Sequence, residues 1–144
     1  MFDGIDQTVL PVYVVPLQLA AWADRVRPHL AKMAEGSHGL YETTDILTAI
    51  AAGRMQLWVA VSGVELLAVM VTEIHDYPRV RAMRCVGISG RKPRLWMGLL
   101  ANVETAAREH FGCSRFQALH QPGHERLLRT GGWRTTHILA EKDL

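Results

Sequence analysis

A carboxylate and an imidazole lie two residues apart near the end of the segment Val64–His75, at Glu73 and His75. The segment is predicted to be a β-strand, and side chains two residues apart on a strand point to the same face of the sheet. A carboxylate beside a histidine can accept a proton and pass it on near neutral pH, which is general-base chemistry. The structural alternative is a Glu73 that faces solvent or pairs with Arg84.

Two further histidines are candidates for proton transfer, His120 at the end of a predicted strand and His124 at the start of the next predicted helix. Of the two cysteines, Cys113 is expected to be a small buried residue. Cys85 is also expected to pack in the core, with a covalent acyl-cysteine as the alternative. The histidines and cysteines show no spacing typical of metal ligands, so no metal is predicted.

Charge is distributed unevenly along the chain. Residues 1–76 hold four basic and nine acidic side chains, whereas residues 77–144 hold twelve basic and five acidic ones. Six basic residues and no acidic residue lie between Arg79 and Arg94. A basic half favours an anionic ligand, either a phosphorylated small molecule or nucleic acid, and a solvated basic face is the alternative. Nucleic acid is the less favoured ligand, because no helix-turn-helix or RNA-binding signature is present.

Length and composition limit the class of protein. A chain of 144 residues predicts one domain, residues 1–144, and 49% hydrophobic residues exclude a disordered chain. Two cysteines are too few for a disulfide scaffold. No apolar stretch is long enough to span a bilayer, and the acidic N-terminus is unlike a signal peptide. A cytoplasmic protein without membrane contact is therefore expected.

Alternating patterns and turn residues predict the elements that position these groups. We expect an edge strand, two helical segments, a meander of three antiparallel strands, a helix, a strand, a short helix and a final strand. Pro28 is expected to kink the first helical segment or to start a new helix, and Thr43–Asp45 offers N-caps for the second. The order predicts an α/β protein with a mostly antiparallel mixed sheet and one parallel strand–helix–strand crossover. The ranges are 11–16, 17–35, 43–52, 55–62, 64–75, 80–88, 94–111, 115–120, 123–130 and 133–141.

The order of elements resembles the GCN5-related N-acetyltransferase (GNAT) fold over nearly the whole chain. The segment Arg84–Gly90 is similar to the family's acyl-CoA loop, Gln/Arg-x-x-Gly-x-Gly/Ala, with Arg84, Gly87 and Ser89 in place and Gly90 one residue late. The segment Gly123–Trp133 is similar to the family's last helix and the Gly-aromatic pair that follows it. The chain also resembles small phage-encoded GNAT-like proteins.

This resemblance implies acetyl-CoA or coenzyme A as cosubstrate, bound where a strand runs through glycines into a helix N-terminus. It implies that a backbone N–H between Val86 and Ile88 meets the thioester oxygen. Glycines would let the backbone approach the ligand, and basic residues would neutralise its phosphates. The residues expected to bind the cofactor are Arg84, Val86, Gly87, Ile88, Ser89, Gly90, Arg91, Lys92 and Arg94.

The same resemblance places Ser37, His38 and Tyr41 in the region that shapes the acceptor pocket, with an ordinary polar loop as the alternative. It implies transfer of an acetyl group to a small amine or a protein amine by direct attack in a ternary complex, with Glu73, His75, His120 and His124 as candidate catalytic groups.

No tyrosine follows Tyr77, although the family often has one in its last helix as general acid. A catalytically degenerate GNAT-fold binding protein is therefore the second hypothesis. An edge strand near either end of the chain could also pair with a second copy, which would give a homodimer.

Overall fold

The structure is a computed structural model that describes residues 9–120 and 122–144, without the side chains of Pro93, Trp96 and Pro122. Residues 1–8, on which the expectation of no signal peptide partly depends, lie outside the described residues.

Within residues 9–120 and 122–144, five strands form one mixed sheet in the order β1-β2-β3-β4-β5. Strands β1 to β4 pair antiparallel with their neighbours, and β5 pairs parallel to β4. The predicted meander and the predicted parallel crossover are both confirmed. The strands are β1 (Val9–Val14), β2 (Met55–Ser62), β3 (Glu65–Asp76), β4 (Arg81–Gly90) and β5 (Arg115–Ala118).

Four α-helices in the part of the chain that the structure describes connect and cover the strands. Two short 3-10 turns, Pro16–Gln18 and Pro122–His124, precede the first and the last of them. Among the described residues, no helix is both long and apolar enough to cross a bilayer. The helices are α1 (Leu19–Gly36), α2 (Thr43–Ala51), α3 (Pro93–Glu109) and α4 (Glu125–Thr130).

The helices lie on opposite faces of the sheet, and each face carries its own hydrophobic core. On one face, α1 and α2 pack on Leu57, Val59, Val69 and Val71. On the other face, α3 and α4 cover the side chains that alternate with these along the strands, such as Trp58 and Met70. Nearly every residue of β2 and the middle of β3 is buried, because helices cover both faces.

Strand β4 is paired differently along its two halves. Its first half lies between β3 and β5, with the register running from Ala82–Arg115 to Cys85–Ala118. The register with β3 shifts at the middle, where Val71 pairs with Gly87 and Thr72 with Cys85. Val86 is thus the extra residue of a β-bulge. In the described part of the chain, the second half of β4 pairs with β3 alone.

Three local predictions are wrong. Residues 133–141 form no strand. The chain turns at Gly131 and Gly132, and the Thr135 hydroxyl then donates a hydrogen bond to the Glu125 carboxylate.

Helix α1 continues through Pro28, because the buried side chains of Val26, Leu30 and Met33 pack on the sheet on both sides of the proline. That packing outweighs the roughly 3 kcal/mol cost of an internal proline.

The start of α2 also differs from the prediction. The N-cap is Glu42 rather than one of the residues in Thr43–Asp45. The carboxylate of Asp45 accepts the backbone N–H of Glu42 at 2.8 Å, and the Glu42 side chain accepts a backbone N–H in return. Two acids form this reciprocal capping box, and both lie at the end of the helix where negative charge is favourable.

The close packing of α1 on β4 makes Gly87 a stability determinant. A Cβ at Gly87 would lie 2.7 Å from Cγ of Met33, whereas a Cβ at Gly98 in α3 would meet nothing within 4 Å. We expect Gly87→Ala to lower the free energy of unfolding by about 1–3 kcal/mol. Gly98→Ala should leave it unchanged or raise it by up to about 1 kcal/mol, because alanine favours a helix interior. Urea denaturation measures both, and a neutral Gly87→Ala would contradict this packing.

Candidate active site

The basic run of the sequence is divided between the two ends of β4. Arg79 and Arg81 lie at its start, whereas Arg91, Lys92 and Arg94 follow its end. A strand of ten residues separates the groups by roughly 30 Å. The run is therefore not one continuous basic patch, and Arg81 at its start is already paired with Asp76 at 3.3 Å.

The turn from β4 into α3 brings positive charge to a helix N-terminus. Arg91, Lys92 and Arg94 are all exposed there, and the first turn of the 17-residue α3 holds no acidic residue. Lys92 is the N-cap and its side chain makes no capping hydrogen bond. Pro93 has no backbone N–H, and the N–H of Leu95 donates to the Lys92 carbonyl at 3.0 Å. The three cations and the positive end of the helix dipole are therefore what this turn offers a phosphate group.

The two glycines of the predicted loop face other parts of the protein. The space beside Gly87 is filled by Met33, and a Cβ at Gly90 would lie 3.0 Å from Cβ of Ala68 on β3. Neither glycine has a positive φ. The missing side chains therefore allow close packing of α1 and β3, which differs from the expectation that glycines open the backbone to a ligand.

Ser89 lies between those glycines on β4 and contacts α1. Its Oγ is 2.8 Å from Nδ1 of His29, and both residues are half-buried. His29 was not among the residues predicted from the sequence, because a histidine in an amphipathic helix carries no local signal of its partner. Burial lowers the pKa of His29, and nearby Lys32 lowers it further, so the imidazole is neutral at neutral pH.

The predicted acid–histidine pair is present on β3. Oε1 of Glu73 lies 3.0 Å from Nε2 of His75, and the side chains are 23% and 37% exposed, respectively. Arg84 is the cross-strand neighbour of Glu73 on β4. Glu73 is therefore partly buried and in contact with His75, and His75 has access to solvent.

Tyr41 belongs to the same group of side chains. Burial raises the pKa of its phenol, the Glu73 carboxylate raises it further, and Arg84 opposes both effects. The phenol is therefore protonated at neutral pH. This electrostatic coupling places the loop between α1 and α2 beside the polar ends of β3 and β4.

Ser37 and His38 have different surroundings from Tyr41. The Ser37 hydroxyl donates to the Ala34 carbonyl at 2.7 Å and accepts the Tyr41 N–H at 3.1 Å, so it closes the turn that holds Tyr41. His38 is exposed and has a positive φ of 56°.

A groove of about 490 Å³ lies next to Tyr41, between α2 and the start of β2. Met55, which lines it, is the cross-strand neighbour of Glu73. The groove therefore adjoins the acid–histidine pair, and it has both acidic and basic walls. Its lining residues are Leu40, Tyr41, Asp45, Thr48, Ala49, Arg54 and Met55.

His120 and His124 lie beyond β5, apart from Glu73 and His75 in the fold. Nε2 of His120 is 3.4 Å from the Thr135 hydroxyl, and His124 is the exposed N-cap of α4. Hydrogen bonds from Thr135 and Arg129 lower the pKa of Glu125, and the electrostatic effect of His120 lowers it further. Of the four predicted catalytic groups, Glu73 and His75 contact each other on β3, whereas His120 and His124 follow β5.

Cys85 is half-buried and packs against the core beneath α3. Burial raises the pKa of its thiol to about 12, with the backbone N–H of Gly87 acting in the opposite direction. Such a thiol is not a nucleophile near neutral pH, which favours the packing role. No group of three or more residues that could hold a metal ion is found in the portion of the chain described.

Comparisons with known proteins bear on the fold. Neither a scan against protein-family models nor a search of curated proteins finds a match. Solved structures do match: an aminoglycoside acetyltransferase from an uncultured soil metagenomic sample, in complex with sisomicin, has a TM-score of 0.72 at 8% identity and covers 97% of this chain and 99% of its own. A GCN5-related N-acetyltransferase from Ralstonia eutropha has a TM-score of 0.69 at 13% identity and covers 94% and 98%.

A third structure is a predicted acetyltransferase from Clostridium acetobutylicum with acetyl-CoA, with a TM-score of 0.66 at 12% identity and coverage of 94% and 96%. The chain has the GNAT acetyltransferase fold. Strands β3 and β4 of this GNAT fold carry the groups described above. Strand β3 carries the Glu73–His75 pair, and β4 carries Ser89, which contacts His29, and leads into the turn before α3.

The environment of Cys85 predicts low thiol reactivity. A pKa of about 12 leaves roughly one thiolate in ten thousand at pH 8. We expect iodoacetamide to alkylate Cys85 in the native protein about a thousandfold more slowly than in the urea-unfolded chain. Peptide mass spectrometry distinguishes Cys85 from Cys113. Rapid labelling of native Cys85 would reopen the acyl-cysteine alternative.

Proposed function

We propose that the protein is an acyl-CoA-dependent N-acetyltransferase that transfers an acetyl group to an amine by direct attack in a ternary complex. The observation that carries the proposal is the exposed group of Arg91, Lys92 and Arg94 at the N-terminus of α3, in a GNAT fold. The structural neighbour from Clostridium acetobutylicum carries acetyl-CoA. Bound acetyl-CoA would supply an activated thioester carbonyl carbon.

The residues after β4 fit the anionic end of that cosubstrate. A diphosphate and a ribose phosphate need several cations, which Arg91, Lys92 and Arg94 supply at the positive end of the α3 dipole. Arg84 lies in the first half of β4, next to Glu73 rather than at this turn. We therefore assign Arg84 to the acceptor side of the site.

The middle of β4 fits the thioester. The bulge at Val86 changes the direction of the backbone where pairing with β5 ends, and Gly87 and Ile88 follow it. Bulges re-aim backbone groups next to active sites. A backbone N–H of this segment would stabilise negative charge on the thioester oxygen without any side chain.

Glu73 is proposed as the general base. An amine is a nucleophile only after it loses its proton, and the Glu73 carboxylate can accept that proton directly or through water. His75 would then pass the proton to solvent, since it is hydrogen-bonded to Glu73 and partly exposed. The groove beside Tyr41 would hold the acceptor, with Ser37 holding the turn and His38 at its exposed edge. The neighbour from soil is an aminoglycoside acetyltransferase.

A catalytically degenerate GNAT-fold binding protein remains the second candidate, and the phage likeness stays a prediction. The observation in its favour is that α4 (Glu125–Thr130) contains no tyrosine to protonate the departing thiolate. His120 and His124 lie just before that helix, which makes them candidates for this step. Nucleic acid is disfavoured, because the basic run is divided between the ends of β4.

Charge reversal tests the cosubstrate site. We expect saturable binding of acetyl-CoA to the wild type by calorimetry, and at least about tenfold weaker binding to Arg91→Glu/Lys92→Glu, because each charge-assisted contact contributes about 1.5–3 kcal/mol. Arg79→Glu/Arg81→Glu changes the net charge equally at the other end of β4 and should bind like the wild type. Equal weakening by both variants would indicate general electrostatic attraction instead of a site.

Removal of the base tests the reaction. With an amine acceptor found in a panel of aminoglycosides, polyamines and peptides, Glu73→Gln should lower kcat/KM by about 10²–10⁴ and leave acetyl-CoA binding unchanged. Glu65→Gln on the same strand is exposed and should have no effect. Transfer to no amine of the panel, despite acetyl-CoA binding, would support the binding-protein candidate.

A further inference from the structure

Helix α1 contacts the second half of β4 at two alternate positions. Met33 fills the space beside Gly87, and His29, one turn earlier on the helix, lies 2.8 Å from the hydroxyl of Ser89. Positions i and i+4 share one face of a helix, and positions i and i+2 share one face of a strand. One stripe of α1 therefore lies along one face of β4.

These contacts matter because this half of β4 has β3 as its one strand neighbour in the described residues. A strand half with an open edge depends on side-chain contacts for its position. Ser89 is one residue before the last residue of β4 and three before Lys92, the N-cap of α3. The position of Ser89 therefore affects the direction in which the chain enters the basic turn.

The hydrogen bond suits a fixed contact. Burial keeps His29 neutral, and a neutral imidazole carries one donor and one acceptor nitrogen. A serine hydroxyl can both donate and accept, so the bond forms with either tautomer of His29. The contact joins residues 60 positions apart, and it needs no charge.

We infer that His29 is a positioning residue for the acyl-CoA site, which acts by holding Ser89 and through it the basic turn before α3. The inference rests on the proposed function. His29 acts through Ser89 and takes no part in proton transfer to substrate. Its loss should therefore weaken binding of acetyl-CoA and raise its KM, without lowering kcat.

A double-mutant cycle tests the inference. We expect His29→Ala and Ser89→Ala each to weaken acetyl-CoA binding about five- to tenfold in calorimetry, as for the loss of one hydrogen bond. The double variant should be no weaker than either single variant, within about twofold. His29→Asn can place a polar atom near the position of Nδ1 and should recover most of the affinity. Arg27→Ala, exposed on the same helix, should behave like the wild type.

Each outcome has one meaning. Wild-type affinity in both single variants, or additive losses in the double variant, would overturn the inference and leave the proposed function standing. A fall in kcat with an unchanged KM would assign His29 to the reaction itself and also overturn it. If His29→Ala does not fold, Ser89→Ala and His29→Asn provide the same comparison. No binding of acetyl-CoA by the wild type would overturn the proposed function, and with it this inference.

Discussion

The asymmetric pairing of β4 is the constraint on which the rest of the site depends. Its first half is held between β3 and β5, and its second half, beyond the bulge at Val86, has β3 alone in the described residues. Backbone groups that are left without a strand neighbour need another partner. This half of β4 leads directly into the basic turn before α3, where the cosubstrate is proposed to bind.

Helix α1 supports the half of β4 that has β3 as its one strand neighbour among the described residues. Met33 and His29 lie against Gly87 and Ser89, so β4 is held from the face rather than from the edge. This arrangement explains why Gly87 lacks a side chain even though its φ is ordinary. The same helix ends in the turn closed by Ser37, which positions Tyr41 beside Glu73. One helix thus connects the proposed cosubstrate side of the site with the proposed acceptor side.

The distribution of charge supports a divided site. The cations after β4 face no acidic side chain in the first turn of α3, and Arg84 lies opposite Glu73 about half a strand away. His120 belongs to a polar cluster with Thr135 and Glu125 beyond β5.

Period and turn residues by themselves determined most of the elements. Alternation in residues 55–90 predicted β2, β3 and β4, and the two-residue spacing of Glu73 and His75 predicted their contact, because both effects are local. The strand predicted over 133–141 was wrong, since a strand forms only where an edge receives it, and that depends on the whole sheet. The His29–Ser89 bond was beyond prediction for the same reason: 60 residues separate its partners, and only packing of α1 on β4 brings them together.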